Sequence, residues 1–388
     1  SLSFFNFPKK SKILFYEKID ENIFDSIFNI KNPNYIFNYS NRKINVFILF
    51  FVFFNPKSIK IIFADNLITA YSYTYIKFVK PRAILSSTDN NLNFYRLKKY
   101  FNKNLTFIVY QNGSRHEIND LFGDPNLIFC KESKKKFSVD YIFTFNSSIS
   151  KIYEKYIDCK TIAIGNVKNN IVRLKSNSVK NKLIFISQFR EKFLSRSHYL
   201  SHGNKVCSTK KWFEAERNLI PKLCNYCQKK NIDLYILGAS KNSSSIEKEK
   251  AYFRRVAQGK KWKYWNNYRY DFKKRYQFLD KFEIAVSIWS TLASELLGRN
   301  KKVGFFRQNI KDFKDRNFGW PANFSKRGFW YTSLITQSEV DRVLNNLIHI
   351  KNSEWIDKIS STKNKVMNYD RDNKKLQNKL NSLLSTDF

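Results

Sequence analysis

The sequence predicts an α/β protein made of two Rossmann-like domains that face each other across a cleft. Up to residue 165, short apolar runs rich in β-branched residues alternate with helical patterns, as a parallel sheet requires. A polar stretch rich in Asn, Lys and Ser follows at 166–181, and the alternation then begins again. The length of 388 residues suits two domains. We therefore expect an N-terminal domain over 1–170, a linker over 171–181 and a C-terminal domain over 182–388.

In the N-terminal half, the predicted strands are apolar runs that end at polar or Gly residues. The strands cover 83–87, 106–110, 141–145 and 161–164, with helical patterns at 68–79, 92–101 and 148–156. Residues 1–40 are aromatic and basic and carry no recognisable motif.

The most apolar stretch of the chain is 44–54, which is interrupted by Asn45 and ended by Asn55-Pro56. A helix that spans a membrane needs about 20 apolar residues, so this stretch is too short for one. We predict a buried strand here and another at 59–64. A shallow membrane contact is the alternative for 44–54.

In the C-terminal half, the predicted strands are 183–187, 234–237, 284–289 and 303–306, and the strand at 234–237 ends at Gly238. A long amphipathic helix is expected at 213–229, and a helical region at 337–386. These elements form a second alternating α/β unit.

Polar and Gly residues follow two predicted strands of the N-terminal half. Asp89 and Asn90 come after the first, and Gln111, Asn112 and Gly113 come after the second. In open parallel sheets, ligands bind at the carboxyl ends of the strands. The alternative is that these are only turn and cap residues. We favour a functional role for Asp89, Gln111 and Asn112, because neighbouring loops would bring them together.

A short helix follows the strand at 284–289. Ser290 and Thr291 supply hydroxyls at its start, and Gly298 ends it. Free backbone N–H groups at a helix start attract anions. Glu295 lies one turn inside the helix, where its carboxylate would suit the two hydroxyls of a ribose. The alternative is a surface Glu on an ordinary helix, and spacing alone does not separate the two.

The formal net charge is +38. Part of it reflects a composition rich in Lys, Asn, Ile, Phe and Tyr, but the charge still attracts polyanions such as nucleic acid, anionic lipid or nucleotide phosphates. Residues 248–275 interleave eleven Lys and Arg with eight aromatic residues, a pattern that suits an anionic membrane surface or single-stranded nucleic acid. Five scattered cysteines form no framework and indicate a reducing compartment.

Three segments resemble bacterial proteins of lipopolysaccharide and capsule biosynthesis. They are 80–95, with Lys-Pro at its start and Asp-Asn at its strand end, 110–115, with Gln-Asn-Gly, and 165–170. The Ser-Thr…Glu pattern of 290–295 looks like the donor-nucleotide motif of GT-B glycosyltransferases. The resemblance covers most of 75–310 and implies a GT-B-type enzyme that moves a sugar from a nucleotide-sugar donor to a growing surface glycan.

The chain departs from the family pattern at two places. Some members carry Gln-His-Gly where this chain has Asn112, and His116 lies a few residues further on. The Gly-rich loop of the N-terminal GT-B domain is not recognisable. The departures leave the catalytic base open among Asp89, His116 and Glu117, and we prefer Asp89 because it directly follows a strand.

The chemistry of such an enzyme assigns roles to the other residues. The departing phosphate needs positive or dipolar groups, while the acceptor needs a base. Residues expected to bind the donor are Ser187, Gln188, Arg190, Gly238, Ser290, Thr291 and Glu295. Residues expected on the acceptor side are Asn90, Gln111, Asn112, Gly113 and Arg115. No metal ligand is expected, because Asp370-Arg371-Asp372 lies in a charged helical tail, and no cofactor is expected besides the donor substrate.

The expected partners are a nucleotide sugar, a glycan or lipid-linked glycan acceptor, and an anionic membrane surface. We expect a cytoplasmic protein held peripherally on the inner face of the cytoplasmic membrane. Two alternatives stay open: a catalytically degenerate sugar-binding protein of the same fold, and a basic nucleic-acid-binding protein. The second is disfavoured because no signature of a nucleic-acid-binding module is evident.

Overall fold

The computed structural model describes residues 7–17, 27, 34–37, 44–102, 104–115, 133–173, 178–191, 199–202, 205–208, 213–266, 271–307, 319–322 and 324–385. The chain forms two compact units. The first unit comprises residues 1–113, 121–171 and 370–388, and the second unit comprises 114–120 and 172–369.

The first unit is built on a parallel sheet of six strands. The strands are β1 (Ile13–Glu17), β2 (Asn34–Phe37), β3 (Ala83–Ser86), β4 (Thr106–Tyr110), β5 (Ser138–Thr144) and β6 (Asp158–Ala163), in the order β2-β1-β3-β4-β5-β6. The chain moves outward from β1 to β2 and then returns to the other side of β1. The point where the strand order reverses therefore lies between β1 and β3, and crevices at such points bind ligands in open α/β sheets.

The fully described helices of the first unit that precede the second sheet lie between residues 46 and 170. They are α1 (Val46–Phe54), α2 (Pro56–Ala64), α3 (Leu67–Val79), α4 (Leu92–Leu97), α5 (Ser133–Lys136), α6 (Ser147–Tyr156) and α7 (Val167–Asn170). The predicted helices at 68–79, 92–101 and 148–156 are confirmed as α3, α4 and α6, although α4 gives way to a 3-10 turn at Lys98–Tyr100.

The strands predicted at 44–54 and 59–64 are wrong, because both segments are helices. The Asn45 side chain accepts a hydrogen bond from Ile48 N at 3.1 Å and caps α1. Asn55 caps α2, and Pro56 at its first position favours a helix start. The apolar run carried no periodicity that separates a strand from a helix, whereas the two Asn caps decide the outcome.

The second unit also contains a parallel sheet of six strands. Its strands are β7 (Val179–Ile186), β10 (Asp233–Leu237), β11 (Lys263–Trp265), β12 (Phe282–Ser287), β13 (Lys302–Phe306) and β14 (Tyr331–Thr332), in the order β11-β10-β7-β12-β13-β14. A separate antiparallel pair consists of β8 (Tyr199–His202) and β9 (Lys205–Ser208). Here the strand order reverses between β7 and β12.

Helices cover the second sheet and complete its core. They are α8 (Glu214–Lys229), α9 (Ser243–Ala257), α10 (Phe272–Leu279), α11 (Thr291–Gly298), α12 (Gln337–His349) and α13 (Asn352–Val366). Apolar side chains of β7, β12 and α8 form one buried cluster with those of α12 and α13. The two predicted α/β units are thus confirmed, while their facing across a cleft stays a prediction.

The last residues of the chain belong to the first unit. Asp370 N donates to Ile164 O at 3.1 Å, and the Asn170 amide donates to Asn373 Oδ1 at 2.7 Å. Helix α14 (Lys374–Ser385) follows. The second unit therefore ends at 369, not at 388 as the sequence led us to expect, because a charged amphipathic tail does not reveal its packing partner. The expected linker is also shorter, since β7 begins at Val179.

The aromatic residues of the basic segment 248–275 serve largely as core in its described part. Tyr252, Phe253 and Phe272 are buried, and Trp265 stacks on Phe278 with ring centroids 3.9 Å apart. Their rings do not face a bilayer or a stack of bases. Adhesion of this segment to a membrane stays a prediction, and in the described part of the segment it depends mainly on exposed Lys and Arg side chains.

Candidate functional site

Two loops of the second unit are joined where its strand order reverses, directly after β7 and β12. The Gln188 side chain donates from Nε2 to Trp289 O at 2.9 Å and accepts at Oε1 from Trp289 N at 3.1 Å. This two-way bridge fixes the loop after β7 against the loop after β12. The predicted donor residues Ser187, Gln188, Ser290 and Thr291 therefore all border one crevice position of the sheet.

The start of α11 is organised by serine side chains. Ser290 Oγ accepts from Leu292 N at 3.2 Å, which confirms Ser290 as the N-cap, and Ser290 N donates to Ser287 Oγ at 3.0 Å. Thr291 Oγ1 accepts from Ser114 N at 3.1 Å, and Ser114 groups with the second unit. The helix dipole and these hydroxyls give the site an environment that favours an anion.

A fully buried carboxylate, Glu249 of α9, holds the loops after β7 and β10. It accepts hydrogen bonds from Ser187 Oγ at 2.6 Å, Ala239 N at 2.9 Å, Ser240 N at 2.9 Å and Tyr264 Oη at 3.0 Å. The predicted donor residue Ser187 is thus engaged within the protein, and it shapes the loop rather than projecting a free hydroxyl.

Gly238 lies beside the same cluster. A Cβ atom at Gly238 would come within 1.9 Å of the Tyr264 hydroxyl, so only Gly permits this approach. Its presence is therefore explained by packing against Tyr264. A contact between Gly238 and the donor stays a prediction.

Two arginines lie at the carboxyl edge of the second sheet, one exposed to solvent and one stacked on a tryptophan ring. Arg190, predicted to bind the donor, is exposed after β7. Arg307 directly follows β13, and its guanidinium carbon lies 4.5 Å from the centroid of the Trp289 ring. Stacking on Trp289 holds this cation next to the loop that precedes α11. Sequence reasoning missed Arg307, although a cation directly after a predicted strand was the available signal.

Glu295 is buried, so the alternative of a surface Glu is wrong. Tyr276 Oη donates to Glu295 Oε2 at 2.5 Å. Burial, and then the Glu295 carboxylate, raise the pKa of Tyr276 well above its ordinary value, so the phenol stays a donor. Arg299 lies over the Tyr276 ring and pairs with Asp280 Oδ2 at 3.1 Å. The ribose role of Glu295 stays a prediction, in which a ribose would share the carboxylate with Tyr276.

A second carboxylate, Glu216 of α8, is buried next to the loop after β7. Neither oxygen has a hydrogen bond of good geometry among the described residues. Burial raises the Glu216 pKa from 4.5 to about 7, and the Gln188 backbone N–H and the Tyr252 hydroxyl only partly offset this. The carboxyl group is therefore poised to change its charge near neutral pH, underneath the Gln188 loop.

We expect the Glu216→Gln protein to gain stability over the wild type as the pH rises. The folded state favours the protonated carboxyl, so its contribution is complete below pH 4.5 and is lost as the pH rises to about 7. A pKa rise from 4.5 to about 7 corresponds to roughly 3 kcal/mol of unfolding free energy. Denaturant unfolding at pH 5 to 8 measures the difference, followed by tryptophan fluorescence, because all seven tryptophans lie between 172 and 369.

The matched control for this prediction is Glu214→Gln, which changes an exposed carboxylate of the same helix. Its stability should follow that of the wild type at every pH. Parallel curves for wild type and Glu216→Gln would show that Glu216 is charged throughout and would contradict the prediction.

In the first unit, the predicted base Asp89 is fully buried. Its Oδ1 accepts from Asn112 N at 3.2 Å, and its Oδ2 accepts from the Tyr153 hydroxyl. Both oxygens are therefore used to hold the loop after β4, and a base that receives a proton from an acceptor would have to give up these bonds. The other two base candidates, His116 and Glu117, lie outside the described residues.

The remaining acceptor-side residues divide into buried and accessible ones. Gln111 is buried and links Phe145 N, at 2.8 Å, to Gly113 O, at 2.8 Å. Asn90 and Asn112 have exposed side chains, and Gly113 and Arg115 are half-buried. The structure thus brings Asp89 and Asn112 together, and the buried Gln111 side chain holds the loop after β4 in place. Acceptor binding by these residues stays a prediction.

Sequence reasoning missed Glu17, which ends β1. This buried carboxylate lies where the strand order of the first sheet reverses, and it accepts from Ser86 Oγ at 2.9 Å, Ser87 N at 2.5 Å and Ser87 Oγ at 3.0 Å. Burial raises the pKa of Glu17, and these hydrogen bonds oppose the rise. The signal was weak, because residues 1–40 showed no strand pattern around Glu17.

Within the described residues, no group of three or more His, Cys, Asp or Glu side chains has the arrangement of a metal site.

Comparison with known proteins extends these observations. A family model described as "putative O-antigen biosynthesis protein" matches residues 106–384. Since it covers more than half of the chain and parts of both units, the resemblance to surface-carbohydrate proteins is confirmed. No curated protein matches the sequence.

Solved structures share the fold at low sequence identity. One, described as a putative UDP-N-acetylglucosamine 2-epimerase from Listeria monocytogenes, has a TM-score of 0.54 and 13% identity, with 97% of this chain and 98% of that chain covered. MnaA of S. aureus with UDP gives 0.51 and 12%, covering 96% of each chain. The wall teichoic acid polymerase TagF gives 0.51 and 11%, covering 96% and 88%. The GT-B-like architecture of two α/β units is confirmed by these likenesses.

Proposed function

Because this chain belongs to the family of O-antigen biosynthesis proteins, we propose that it transfers a sugar from a nucleotide-sugar donor to a growing surface glycan. The observation that carries the proposal is the crevice position between β7 and β12, where a helix start, the bridged Gln188 loop and Arg307 come together. The helix start and the Arg307 cation suit the diphosphate of a nucleoside diphosphate, and the Gln188 bridge fixes the loop beside them.

In the proposed reaction, an acceptor hydroxyl attacks the anomeric carbon of the donor sugar. The bond from that carbon to the phosphate oxygen breaks, and the nucleoside diphosphate leaves with the bonding electron pair. Negative charge grows on the diphosphate, so groups already oriented toward it lower the barrier. The start of α11, capped by Ser290, and the Arg307 guanidinium supply partial and full positive charge.

The hydroxyl proton must pass to a base on the acceptor side. Asp89 is held by Tyr153 and by Asn112 N, so it serves better to position the loop after β4 than to take up the proton. His116 and Glu117 remain as the candidates for the base. Neutralisation of the leaving group by Arg307 and α11 requires no metal in this scheme.

The test of donor binding is the Arg307→Met protein. We expect its affinity for a nucleoside diphosphate to fall about tenfold to a hundredfold, the range for a lost hydrogen bond to a charged group. Isothermal titration calorimetry with UDP, CDP and GDP measures the affinity, and UDP is tried first because the MnaA neighbour was solved with it. Arg254→Met is the matched control, because Arg254 is exposed in the last turn of α9, a helix that runs away from the carboxyl edge.

Equal affinity of wild type and Arg307→Met would remove Arg307 from the site, and binding of none of the three nucleotides would contradict the donor proposal. Turnover is tested with radiolabelled nucleotide sugars and a membrane glycolipid extract. Transfer of label to lipid supports the proposal. Formation of an epimerised sugar would instead indicate the chemistry named for the Listeria neighbour. Release of the unchanged sugar would indicate hydrolysis, and nucleotide binding without any turnover would indicate a degenerate homologue.

A further inference from the structure

The first unit carries an exposed aromatic surface on helices α1, α2 and the start of α3. We call it the apolar patch and define it by Phe50, Phe53, Phe54, Phe63, Leu67 and Ile68, which are between 43% and 85% exposed. Single exposed apolar residues are ordinary on soluble proteins, but a cluster of this kind marks an interaction surface.

The apolar patch is the outer face of helices whose inner faces are already packed. Ile48 and Val52 of α1 are fully buried, whereas Phe50 and Phe54 of the same helix are exposed with ring centroids 4.4 Å apart. In α2, buried Ser58 forms a hydrogen bond of 2.8 Å with Thr74 of α3. These helices are therefore fastened to the folded unit, and their exposed apolar side needs a different partner.

The charges around the apolar patch suit an anionic surface. Lys57 and Lys60 are exposed on α2, and Lys9 and Lys10 are exposed beside Phe7, whose ring contacts Phe47 at 3.9 Å between centroids. The one acid between residues 44 and 79, Asp65, is paired with Lys99 at 2.9 Å. With a net charge of +38, the protein as a whole is attracted to the same surface.

The dimensions suit insertion into the interface of a bilayer. No single helix in the described part of the chain is long and apolar enough to cross a membrane. Helices α1 and α2 together have the length and composition of a membrane span, but they are bent by 92° to each other. Helix α1 has nine residues and extends about 14 Å at 1.5 Å per residue, roughly half of the 30 Å hydrocarbon core. Aromatic side chains next to lysines are typical of helices that lie in the headgroup region.

We propose that the apolar patch docks the protein on an anionic lipid bilayer, with Phe50, Phe54 and Phe63 inserted and Lys57 and Lys60 at the headgroups. Docked in this way, the first unit works at the inner face of the cytoplasmic membrane, where lipid-linked acceptors are presented. The surface differs from segment 248–275, whose described aromatic residues lie largely in the core. Docking does not require the sugar transfer proposed above, so the two can fail separately.

The test is co-sedimentation of the full chain with vesicles, without any donor. Vesicles of phosphatidylcholine with 30% phosphatidylglycerol are compared with pure phosphatidylcholine, each at low and high salt. We expect the wild type to prefer the anionic vesicles at least tenfold at low salt. The variant Phe50→Ser/Phe54→Ser/Phe63→Ser should bind them at least tenfold more weakly, and Lys57→Gln/Lys60→Gln should reduce the preference for anionic lipid.

The matched control is Leu334→Ser/Ile356→Ser, which removes exposed apolar residues from the second unit and should bind as the wild type does. If the triple variant does not fold, the single change Phe63→Asp at the most exposed position serves in its place and should also weaken binding. Unchanged vesicle binding by a folded patch variant would overturn the proposal. So would a wild-type dimer that the patch variants convert to a monomer in light scattering, since the patch would then belong to a second copy.

Discussion

Replacing Glu249 with alanine is expected to lower the unfolding free energy by about 3–5 kcal/mol, because each buried donor left unpaired costs roughly 1–3 kcal/mol. The carboxylate accepts from Ser187 Oγ, Ala239 N, Ser240 N and Tyr264 Oη in a fully buried position. Denaturant unfolding followed by tryptophan fluorescence measures the change, and it reports on the second unit because every tryptophan lies there.

Two control variants distinguish the effect of losing the buried Glu249 carboxylate from the effect of losing any negative charge. Glu247→Ala removes an exposed carboxylate from the same helix, where it pairs with Lys250, and should leave the stability close to that of the wild type. Glu249→Gln keeps the shape but sets an amide donor against protein donors, so its loss should fall between the other two. A Glu249→Ala protein as stable as Glu247→Ala would show that the loops do not depend on this side chain.

The second large loss of unfolding free energy is expected when Arg299 is replaced. Its side chain is wholly buried and pairs with Asp280, which is also buried, at 3.1 Å. The Arg299→Met protein should lose about 3–5 kcal/mol, because it leaves the Asp280 carboxylate buried without its cation. The measurement is again tryptophan-detected unfolding. A loss below about 1 kcal/mol would be inconsistent with a desolvated pair.

A double variant identifies the pair as the cause. Asp280→Asn/Arg299→Met removes both charges together and should recover part of the stability lost in Arg299→Met, since replacing both partners of a buried pair costs less than removing one. Losses that simply add would indicate that Arg299 acts through its packing on Tyr276 instead.

The four central strands of the second sheet were predictable from sequence because they are short, apolar and bounded by polar residues, whereas the edge strands β11 and β14 were not predicted. The predicted strands at 183–187, 234–237 and 303–306 correspond to β7, β10 and β13. Their predicted ends agree with the observed ends to within one residue, except that β7 begins four residues earlier. The helix cap at Ser290 was also readable, because a hydroxyl before an apolar turn has one common structural use.

The hydrogen-bond partners of the buried carboxylates were not predictable from sequence. Glu295 and Asp89 were selected by their positions next to strands and helix starts, and the structure places Asp89 just after β3 and Glu295 within α11, both buried. Their bonds to Tyr276 and Tyr153 come from residues distant in the sequence, which no local pattern specifies. Glu17 was missed for a different reason, because residues 1–40 showed no strand pattern. Strands were predicted in place of α1 and α2 because an apolar run alone does not distinguish a strand from a helix.

The return of residues 370–388 to the first unit has a consequence for synthesis on the ribosome. The long segment of the second unit, 172–369, emerges complete before the last residues of the first unit exist. The second unit is therefore able to fold while the first still lacks α14 and the Asn373 contact with Asn170. A chain released early, after residue 369, would carry a finished C-terminal half on an N-terminal half in which Ile164 O and the Asn170 side chain had lost their hydrogen bonds to Asp370 and Asn373.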